Sequence, residues 1–171
     1  MPVIEGNGHM TSRRIIPFKI FRKIYHNDYL FEIYKQWQEG KAPVNFDVDN
    51  LSEAFAVAVK LFTRFKRVEW RFSSSGKGLH FRVLDENGKP MFVDWKESLR
   101  IRAEIGDDPE RIFWDIIKGM AGRPIGKLFD SKNGKKAGEW KRLTPDSIAY
   151  IAEKCFEQAF NSEEYEKHNQ K

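Results

Sequence analysis

Residues 68–84, with the sequence VEWRFSSSGKGLHFRVL, constrain the fold more than any other part of the chain. Two runs rich in β-branched and aromatic residues flank a segment of serines and glycines, which is the pattern of two strands joined by a turn. Because successive side chains of a strand point to opposite faces, Leu79 and Phe81 lie on one face of the returning strand. His80 and Arg82 lie on the other. The segment therefore predicts an antiparallel pair with one apolar and one polar face.

Helices and a further strand are predicted before this pair. Residues 17–38 carry apolar residues at mixed helical spacing, which indicates one or two short helices with a break near Asn27 and Asp28. Residues 44–50 alternate between apolar and polar side chains, which indicates a strand with its aspartates on one face. Residues 51–66 have an apolar stripe at helical spacing after an asparagine, a suitable N-cap, and predict a helix.

Turn and helix signals continue after the pair. Asn-Gly dipeptides at positions 87–88 and 133–134 are hairpin turn signals. The apolar run at residues 111–117 is interpreted as a buried strand. Residues 145–160 begin with proline at the first helical position after a threonine N-cap, and they predict a final helix. The order of these elements predicts an α+β fold around a mainly antiparallel sheet.

Charge and aromatic content favour a nucleic acid as partner. The formal net charge is +5 and aromatic residues make up 14% of the chain, which suits a polyanion that carries stackable bases. No apolar run approaches the length of about 18 residues that a transmembrane helix needs, so no membrane partner is expected.

The cysteine content and the chain start predict the compartment. The single cysteine, Cys155, excludes a disulfide framework and a Cys-x-x-Cys pair, so we expect a reducing compartment and no zinc. No signal-peptide pattern opens the chain, which favours a cytoplasmic protein. Residues 1–10 are glycine-rich and aperiodic and are interpreted as a leader segment. Residues 11–171 are then a single domain.

The loop sequence SSSGKG, residues 73–78, is suited to binding phosphate. Glycines let backbone N–H groups close on a phosphate, and the hydroxyls of Ser74 and Ser75 and the ammonium of Lys77 are further donors. The loop is not a Walker A motif, because glycine follows its lysine and a strand follows the loop. A solvated hairpin tip is the alternative that the loop alone leaves open.

His80 follows this loop on the strand face that also carries Arg82. A lone histidine on a strand is more often a structural residue whose hydrogen bonds are made within the fold. Beside a basic loop and an arginine, it suits a cationic or hydrogen-donating contact to a triphosphate.

Asp47 and Asp49 form an Asp-x-Asp pair on the predicted strand at residues 44–50. Two carboxylates on one strand face are close enough to share divalent cations, and two metals about 3.5–4 Å apart are the usual clamp for nucleotidyl transfer. An isolated Asp-x-Asp is more often a solvated strand face that ends in a helix cap. The neighbouring phosphate loop favours the metal site.

A two-metal site needs a third carboxylate, and the sequence offers several. Asp115 is the first choice, because an unpaired charge in a buried strand would cost several kcal/mol. Asp130 is the second choice and Asp94 the third. Asp107 and Asp108 are interpreted as turn residues before a proline.

The combined motifs resemble the archaeo-eukaryotic primase superfamily, with Asp-x-Asp as motif I, SSSGKGLH as motif II and the aspartate of FWD as motif III. Motif II is particularly similar to that of the polymerase domains of bacterial end-joining ligases and of primase-polymerases from plasmids and viruses. The matched motifs lie between Asp47 and Asp115, and with a weaker extension to Arg142 the resemblance covers somewhat over half of the chain. It implies a catalytic core like an RNA-recognition motif.

The resemblance also implies roles for individual residues. Asp47, Asp49 and Asp115 would be the catalytic residues that bind two Mg²⁺ or Mn²⁺ ions. The residues that would bind the incoming nucleotide are Ser74, Ser75, Lys77, His80, Arg82 and Lys132. Lys132 is included because FDSK stands where the ligase-type polymerases have Tyr-Ser-x-Arg, and a lysine lacks the bidentate fork of that arginine. This departure keeps Asp130 open as the third carboxylate.

The expected function is template-dependent nucleotidyl transfer. Its partners would be a single-stranded DNA template, a primer strand, ribo- or deoxynucleoside triphosphates, and a helicase or other replication and repair proteins, at the nucleoid or on a mobile element. Six cationic residues are candidates for following the template backbone: Arg71, Arg82, Arg100, Arg102, Lys135 and Lys136. A gap-filling repair polymerase and an inactive module that binds nucleotide or single strands are the alternatives.

Overall fold

The structure, a computed structural model, describes the backbone of residues 3–6, 9–12 and 28–169 and the side chains of residues 28–161. The helices are α1 (Asp28–Gln38), α2 (Leu51–Arg64), α3 (Trp95–Ile105), α4 (Pro109–Met120) and α5 (Pro145–Asn169). The strands are β1 (Val3–Gly6), β2 (His9–Ser12), β3 (Lys41–Pro43), β4 (Asn45–Val48), β5 (Val68–Phe72), β6 (Leu79–Val83), β7 (Phe92–Asp94), β8 (Ser131–Lys132), β9 (Lys135–Lys136) and β10 (Lys141–Arg142). The predicted α+β class is confirmed.

A four-stranded antiparallel sheet in the order β10-β5-β6-β4 is the centre of the fold. The antiparallel pair predicted for residues 68–84 is β5 with β6, in which Trp70 lies opposite Phe81. Strand β4 pairs antiparallel with the other edge of β6. Strands β4 and β5 are therefore parallel to each other on either side of β6, and α2 connects them.

The apolar face of this sheet carries the main core. Its strand residues alternate as predicted, and the buried members are Phe46, Val48, Val68, Trp70, Leu79, Phe81 and Val83. Helix α2 covers them and packs against α5. Asn50 caps α2 through its side-chain oxygen, and Pro145 opens α5 after Thr144, both as predicted.

Shorter strand pairs lie outside this sheet. Strand β1 pairs with β2, β3 with β7, and β8 with β9 across the Asn-Gly turn at residues 133–134. Asn133 and Gly134 both have positive φ, which the turn between two such strands requires. Of the region 17–38, the structure describes α1 from Asp28 onward, and the helix predicted for residues 17–27 lies outside the described residues.

The strand prediction for residues 111–117 is wrong, because these residues belong to helix α4. A short continuous apolar run does not distinguish a strand from a helix, and here the helix-start signals decide. Asp108 caps the helix by accepting the N–H of Glu110, and Pro109 occupies its first turn. Residues 97–105, compatible with either element in the sequence, belong to helix α3.

Candidate functional site

The polar face of the sheet carries two rows of side chains that run across β4, β6 and β5. The first row is Asp47, His80 and Arg71, and the second is Asn45, Arg82 and Glu69. Period-two alternation predicts this face, but the register of three strands brings the rows together. Asp47 and His80 of the first row line the cavity. Arg82 of the second row is bound to Glu69, with 2.8 Å between Nε and Oε1.

A cavity of about 1270 Å³ opens over the first row. Most of the predicted site residues line it: Asp47, Asp49, Ser74, Ser75, His80, Asp115 and Lys132. Lys77 and Arg82 are not among its lining residues. The fold thus brings motifs that are up to 85 positions apart in the sequence, from Asp47 to Lys132, around one space.

Asp47 is a cavity carboxylate with a buried oxygen that lacks a hydrogen-bond donor among the described residues. Its Oδ1 is buried and accepts no hydrogen bond from the described residues, and it lies 3.5 Å from Nε2 of His80, longer than a usual hydrogen bond. Burial raises the pKa of Asp47 to about 6; the Arg111 guanidinium opposes the rise, and the carboxylates of Asp49 and Asp108 are among those that add to it. An added cation would relieve this charge.

Asp49 follows strand β4 and is exposed, so it is not the strand residue that the alternation predicted. Gly78 packs directly on it. A Cβ at position 78 would lie 2.6 Å from the carbonyl oxygen of Val48 and 2.9 Å from Cα of Asp49. Glycine therefore permits the serine loop to approach the end of β4.

The serine loop is ordered by its own hydrogen bonds. The N–H of Ser73 donates to the Gly78 carbonyl, and the N–H of Gly78 lies 3.3 Å from the Ser73 hydroxyl. The Ser75 hydroxyl accepts the backbone N–H of Lys77. The side chain of Lys77 is exposed. The loop presents serine hydroxyls to the cavity but does not bring Lys77 to its wall.

His80 is held as a neutral hydrogen-bond donor toward Asp47. Nε of Arg71 donates to Nδ1 of His80 at 3.1 Å, so Nδ1 is an acceptor and the ring hydrogen is on Nε2. Burial lowers the pKa of His80 to about 4, and the guanidinium groups of Arg71 and Arg111 lower it further. The neutral ring can donate a hydrogen bond from Nε2, and the contact of His80 to a triphosphate stays a prediction.

Asp115 differs from its predicted surroundings. It is 5% exposed on α4, its Oδ2 lies 2.8 Å from Nη1 of Arg102, and the same oxygen accepts the N–H of Gly126 at 3.3 Å. The other candidates for the third carboxylate are also engaged. Asp130 pairs with Arg71 at 2.8 Å, and Asp94 caps α3.

Asp107 is the structural residue that the sequence interpretation missed. It is 2% exposed, and its carboxylate accepts hydrogen bonds from Arg102 at 2.7 Å and from Arg111 at 2.6 Å. Its other oxygen accepts the backbone N–H of Asp47 at 2.9 Å. The network thereby anchors β4 beside the cavity. The sequence signal for this network was the pair of adjacent aspartates between Gly106 and Pro109. Asp108, the second of the pair, lines the cavity.

Four of the arginines predicted to follow a template are occupied within the fold. Arg102 is fully buried, and Arg71 is 5% exposed with its guanidinium over the Trp140 ring. Arg82 stacks on the same ring, and Arg100 is bonded to Glu97 and Glu104. Burial leaves Arg71 and Arg102 no surface for a template contact, whereas the template contacts of Arg82 and Arg100 stay predictions. Lys135 and Lys136 are exposed on β9.

Asp47 and Asp49 fit a divalent cation in their chemistry, but the predicted set of three does not. Carboxylate oxygens suit Mg²⁺ or Mn²⁺, and the buried Oδ1 of Asp47 lacks a donor. Asp115 does not fit, since its carboxylate neutralises Arg102. Within residues 28–161, no group of three or more His, Cys, Asp or Glu side chains is arranged to hold a metal ion.

Comparison of the chain with protein-family models, with curated proteins and with solved structures finds no match in any of the three. None of the helices in the described part of the chain has the length and apolar character needed to cross a membrane.

Proposed function

We propose that this protein is a nucleotidyltransferase of the primase-polymerase type that extends or starts strands on a single-stranded template. The observation that carries the proposal is the cavity in which Asp47 and Asp49, the serine loop and His80 meet. Carboxylates that can hold cations, facing donors that can hold phosphates, are what phosphoryl chemistry on a triphosphate requires.

The resemblance to the archaeo-eukaryotic primases supports the same proposal. Strands β4, β6 and β5 are adjacent in the sheet, with α2 as the crossover. This arrangement is compatible with the first half of an RNA-recognition-motif-like core. The fourth strand of the sheet, β10, lies beside β5. The likeness of the whole sheet to an RNA-recognition motif is therefore part of the proposal.

In the proposed reaction, a 3′-hydroxyl oxygen forms a bond to the α-phosphorus of the nucleotide. The bond from that phosphorus to the bridging oxygen breaks, pyrophosphate leaves, and the hydroxyl proton goes to solvent. Divalent cations, when bound, would supply the positive charge that such a transfer needs. Ser74 and Ser75 offer hydroxyls to the phosphates, and Lys132 adds a positive charge at the cavity wall.

Asp47 and Asp49 are the proposed metal ligands, and His80 is proposed to position Asp47. Because Arg71 occupies Nδ1 of His80, the Nε2–H remains directed toward the carboxylate. The network of Asp107 holds the backbone of the same strand. Asp108 is a further carboxylate at the cavity, where one of its oxygens caps α4, whereas Asp115 is paired with Arg102.

A protein that binds nucleotide without turnover is the second candidate. The ion pair of Asp115 with Arg102 favours it, because the third motif of the resemblance then serves the fold instead of a metal. A binding module retains the loop and cavity but has no need for charge on Asp47.

The test is incubation with a single-stranded template, all nucleotides and Mn²⁺, with and without a primer. Products in both cases identify a primase-polymerase, and products with primer alone identify an extender. Asp47→Asn should abolish product, whereas Asp146→Asn, an exposed carboxylate on α5, is the matched control and should not change it.

Two results would contradict the catalytic proposal. One is the absence of product from the wild-type protein while a fluorescent nucleotide analogue still binds, which identifies the binding module. The other is product formation by Asp47→Asn at the wild-type rate.

A further inference from the structure

Helix α4 turns its apolar side chains outward. Asp115 and Gly119 are its buried residues, whereas the exposed ones include Phe113, Trp114, Ile116, Ile117 and Met120. Trp114 is 52% exposed and lines the cavity. Phe129, 70% exposed, lines the same cavity from the segment after the helix. Apolar side chains that are exposed together in one patch commonly mark a binding surface, whereas single exposed ones do not.

The same cavity contains cations without carboxylate partners. Lys118, Arg123 and Lys132 line it, and their side chains form no hydrogen bond or ion pair within residues 28–161. This contrasts with Arg111, which also lines the cavity but is bound to Asp107. Lys118, Arg123 and Lys132 therefore give the wall beside Trp114 a positive charge that no carboxylate of residues 28–161 contacts.

We propose that Trp114, Phe129, Lys118 and Arg123 form a surface, the stacking wall, that binds single-stranded nucleic acid. Proteins bind single strands by stacking bases on aromatic side chains while cations contact the phosphates. An aromatic face alone would suit a protein partner, but the two unpaired cations beside it complement a polyanion. The inference rests on the proposed function for naming this strand as the template.

A second copy of the chain suits the stacking wall less well. A two-fold interface sets the same patch against itself, so the positive charges of Lys118 and Arg123 on the two copies would be brought together. The single strand brings the opposite charge to the same residues. It also accounts for the position of the aromatic side chains at the cavity rim, beside the carboxylates where the chemistry is proposed.

The experiment measures binding of a fluorescein-labelled oligothymidylate of about 12 nucleotides by anisotropy, in EDTA so that no metal is needed. Trp114→Ala should bind about tenfold more weakly than the wild type, since one stacked base is lost. Trp114→Phe retains a stacking face and should bind nearly as well as the wild type. The matched control is Phe156→Ala, a residue 75% exposed on α5 outside the cavity, which should bind as the wild type does.

Tryptophan fluorescence supplies a second readout. Trp37, Trp70 and Trp95 are at most 7% exposed, and the partly buried Trp140 is covered by the guanidinium groups of Arg71 and Arg82. The half-exposed Trp114 should therefore account for much of the quenching on strand binding. Trp114→Phe should lose most of this quenching while it keeps its affinity. Circular dichroism of each variant should match the wild type, because the replaced ring is at the surface.

The outcomes separate this inference from the catalytic proposal. Asp47→Asn should abolish synthesis yet bind the oligonucleotide at least as tightly in EDTA, because it removes a negative charge from the cavity. If the wild-type protein makes no product but binds the strand in a way that depends on Trp114, the result supports the stacking wall and contradicts the catalytic proposal. Equal binding by Trp114→Ala and the wild type overturns the stacking wall while synthesis can persist. A wild-type dimer that Trp114→Ala converts to a monomer, without oligonucleotide binding, overturns it in favour of a second copy.

Discussion

Two pairs of aspartates lie in the same part of this molecule and differ in how their negative charges are neutralised. Asp107 and Asp115 are almost completely buried, and both are bound by Arg102. Asp47 and Asp49 border the cavity, and the buried Oδ1 of Asp47 has no hydrogen-bond donor in the described chain. We name them the paired group and the open group.

The difference separates residues that hold the fold from residues available for chemistry. A buried carboxylate that is bound to arginine costs little while its partner remains, and the loss of either partner leaves a charge without compensation. A carboxylate with a raised pKa in a cavity is instead poised to gain from a ligand that brings positive charge. Four predictions test this distinction, from the largest expected effect to the smallest.

Asp107→Ala should have the largest effect, on stability. It leaves Arg102 and Arg111 without their shared carboxylate and removes the acceptor for the N–H of Asp47. We expect the free energy of unfolding to fall by about 3–5 kcal/mol, measured by urea denaturation. Asp130→Ala is the control: its buried partner Arg71 keeps hydrogen bonds to Nδ1 of His80 and to the Phe129 carbonyl and its contact with the Trp140 ring, and the Asp130 side chain is 62% exposed. About 1 kcal/mol should therefore be lost. Equal losses would remove the distinction between the two groups.

Asp47→Asn should affect activity and leave stability intact. The substitution removes a charge that the fold does not compensate, so the midpoint of urea denaturation should not decrease. Nucleotide incorporation should fall by about a hundredfold or more, because the charge that holds cations at the cavity is lost. Steady-state incorporation assays and denaturation of the same preparation supply both numbers. A variant that unfolds and loses activity together would assign Asp47 to the paired group.

The pH dependence of stability should reveal opposite contributions from Asp47 and His80. The pKa of Asp47 is raised to about 6, so its stabilising contribution is present at low pH and is lost as the pH rises through 6. The pKa of His80 is lowered to about 4, so its contribution is present above pH 6.5 and is lost as the pH falls through 4. The two effects oppose each other between pH 4 and 6.

Urea denaturation in EDTA, from pH 4 to 7, separates these contributions. Relative to the wild type, Asp47→Asn should become more stable as the pH rises from 4 to 6. His80→Gln should become less stable relative to the wild type as the pH rises from 4 to 6.5. Differences that do not change with pH would show that burial does not shift the pKa of either group.

The smallest effect is expected from a pair of lysines. Lys132 lines the cavity, whereas the side chain of Lys77 is exposed and does not. Lys132→Ala should raise the KM for nucleotide about fivefold, in the range of one screened charge contact to a phosphate. Lys77→Ala should change it less than twofold. A larger effect at Lys77 would mean that the serine loop closes on the nucleotide and carries Lys77 with it.

Local sequence patterns predicted the sheet well. Period-two alternation identified β4, β5 and β6 and the polar face that carries Asp47 and His80, because the side-chain direction of a strand depends on neighbouring residues alone. The N-cap of α2 and the start of α5 were also predicted from the sequence, since capping residues act within one helical turn. The loop glycine at position 78 was visible in the sequence, although its contact with Asp49 was not.

Helix α4 and the role of its aspartate depended on tertiary structure. The run RIFWDII is apolar at nearly every position, so its periodicity does not indicate which side faces inward. Packing turned Asp115 toward Arg102 and Gly126 and left Trp114 at the cavity.

The amino-acid sequence by itself determined strands β4, β5 and β6, the starts of α2 and α5 and the residues available for the polar face, because these follow from interactions between near neighbours along the chain. Tertiary structure alone decided which aspartates are neutralised and which remain open. Asp107 and Asp115 receive the same arginine from α3, while Asp47 receives none by direct contact. Charge compensation depends on distances of a few ångströms between distant segments, and no local pattern encodes those distances.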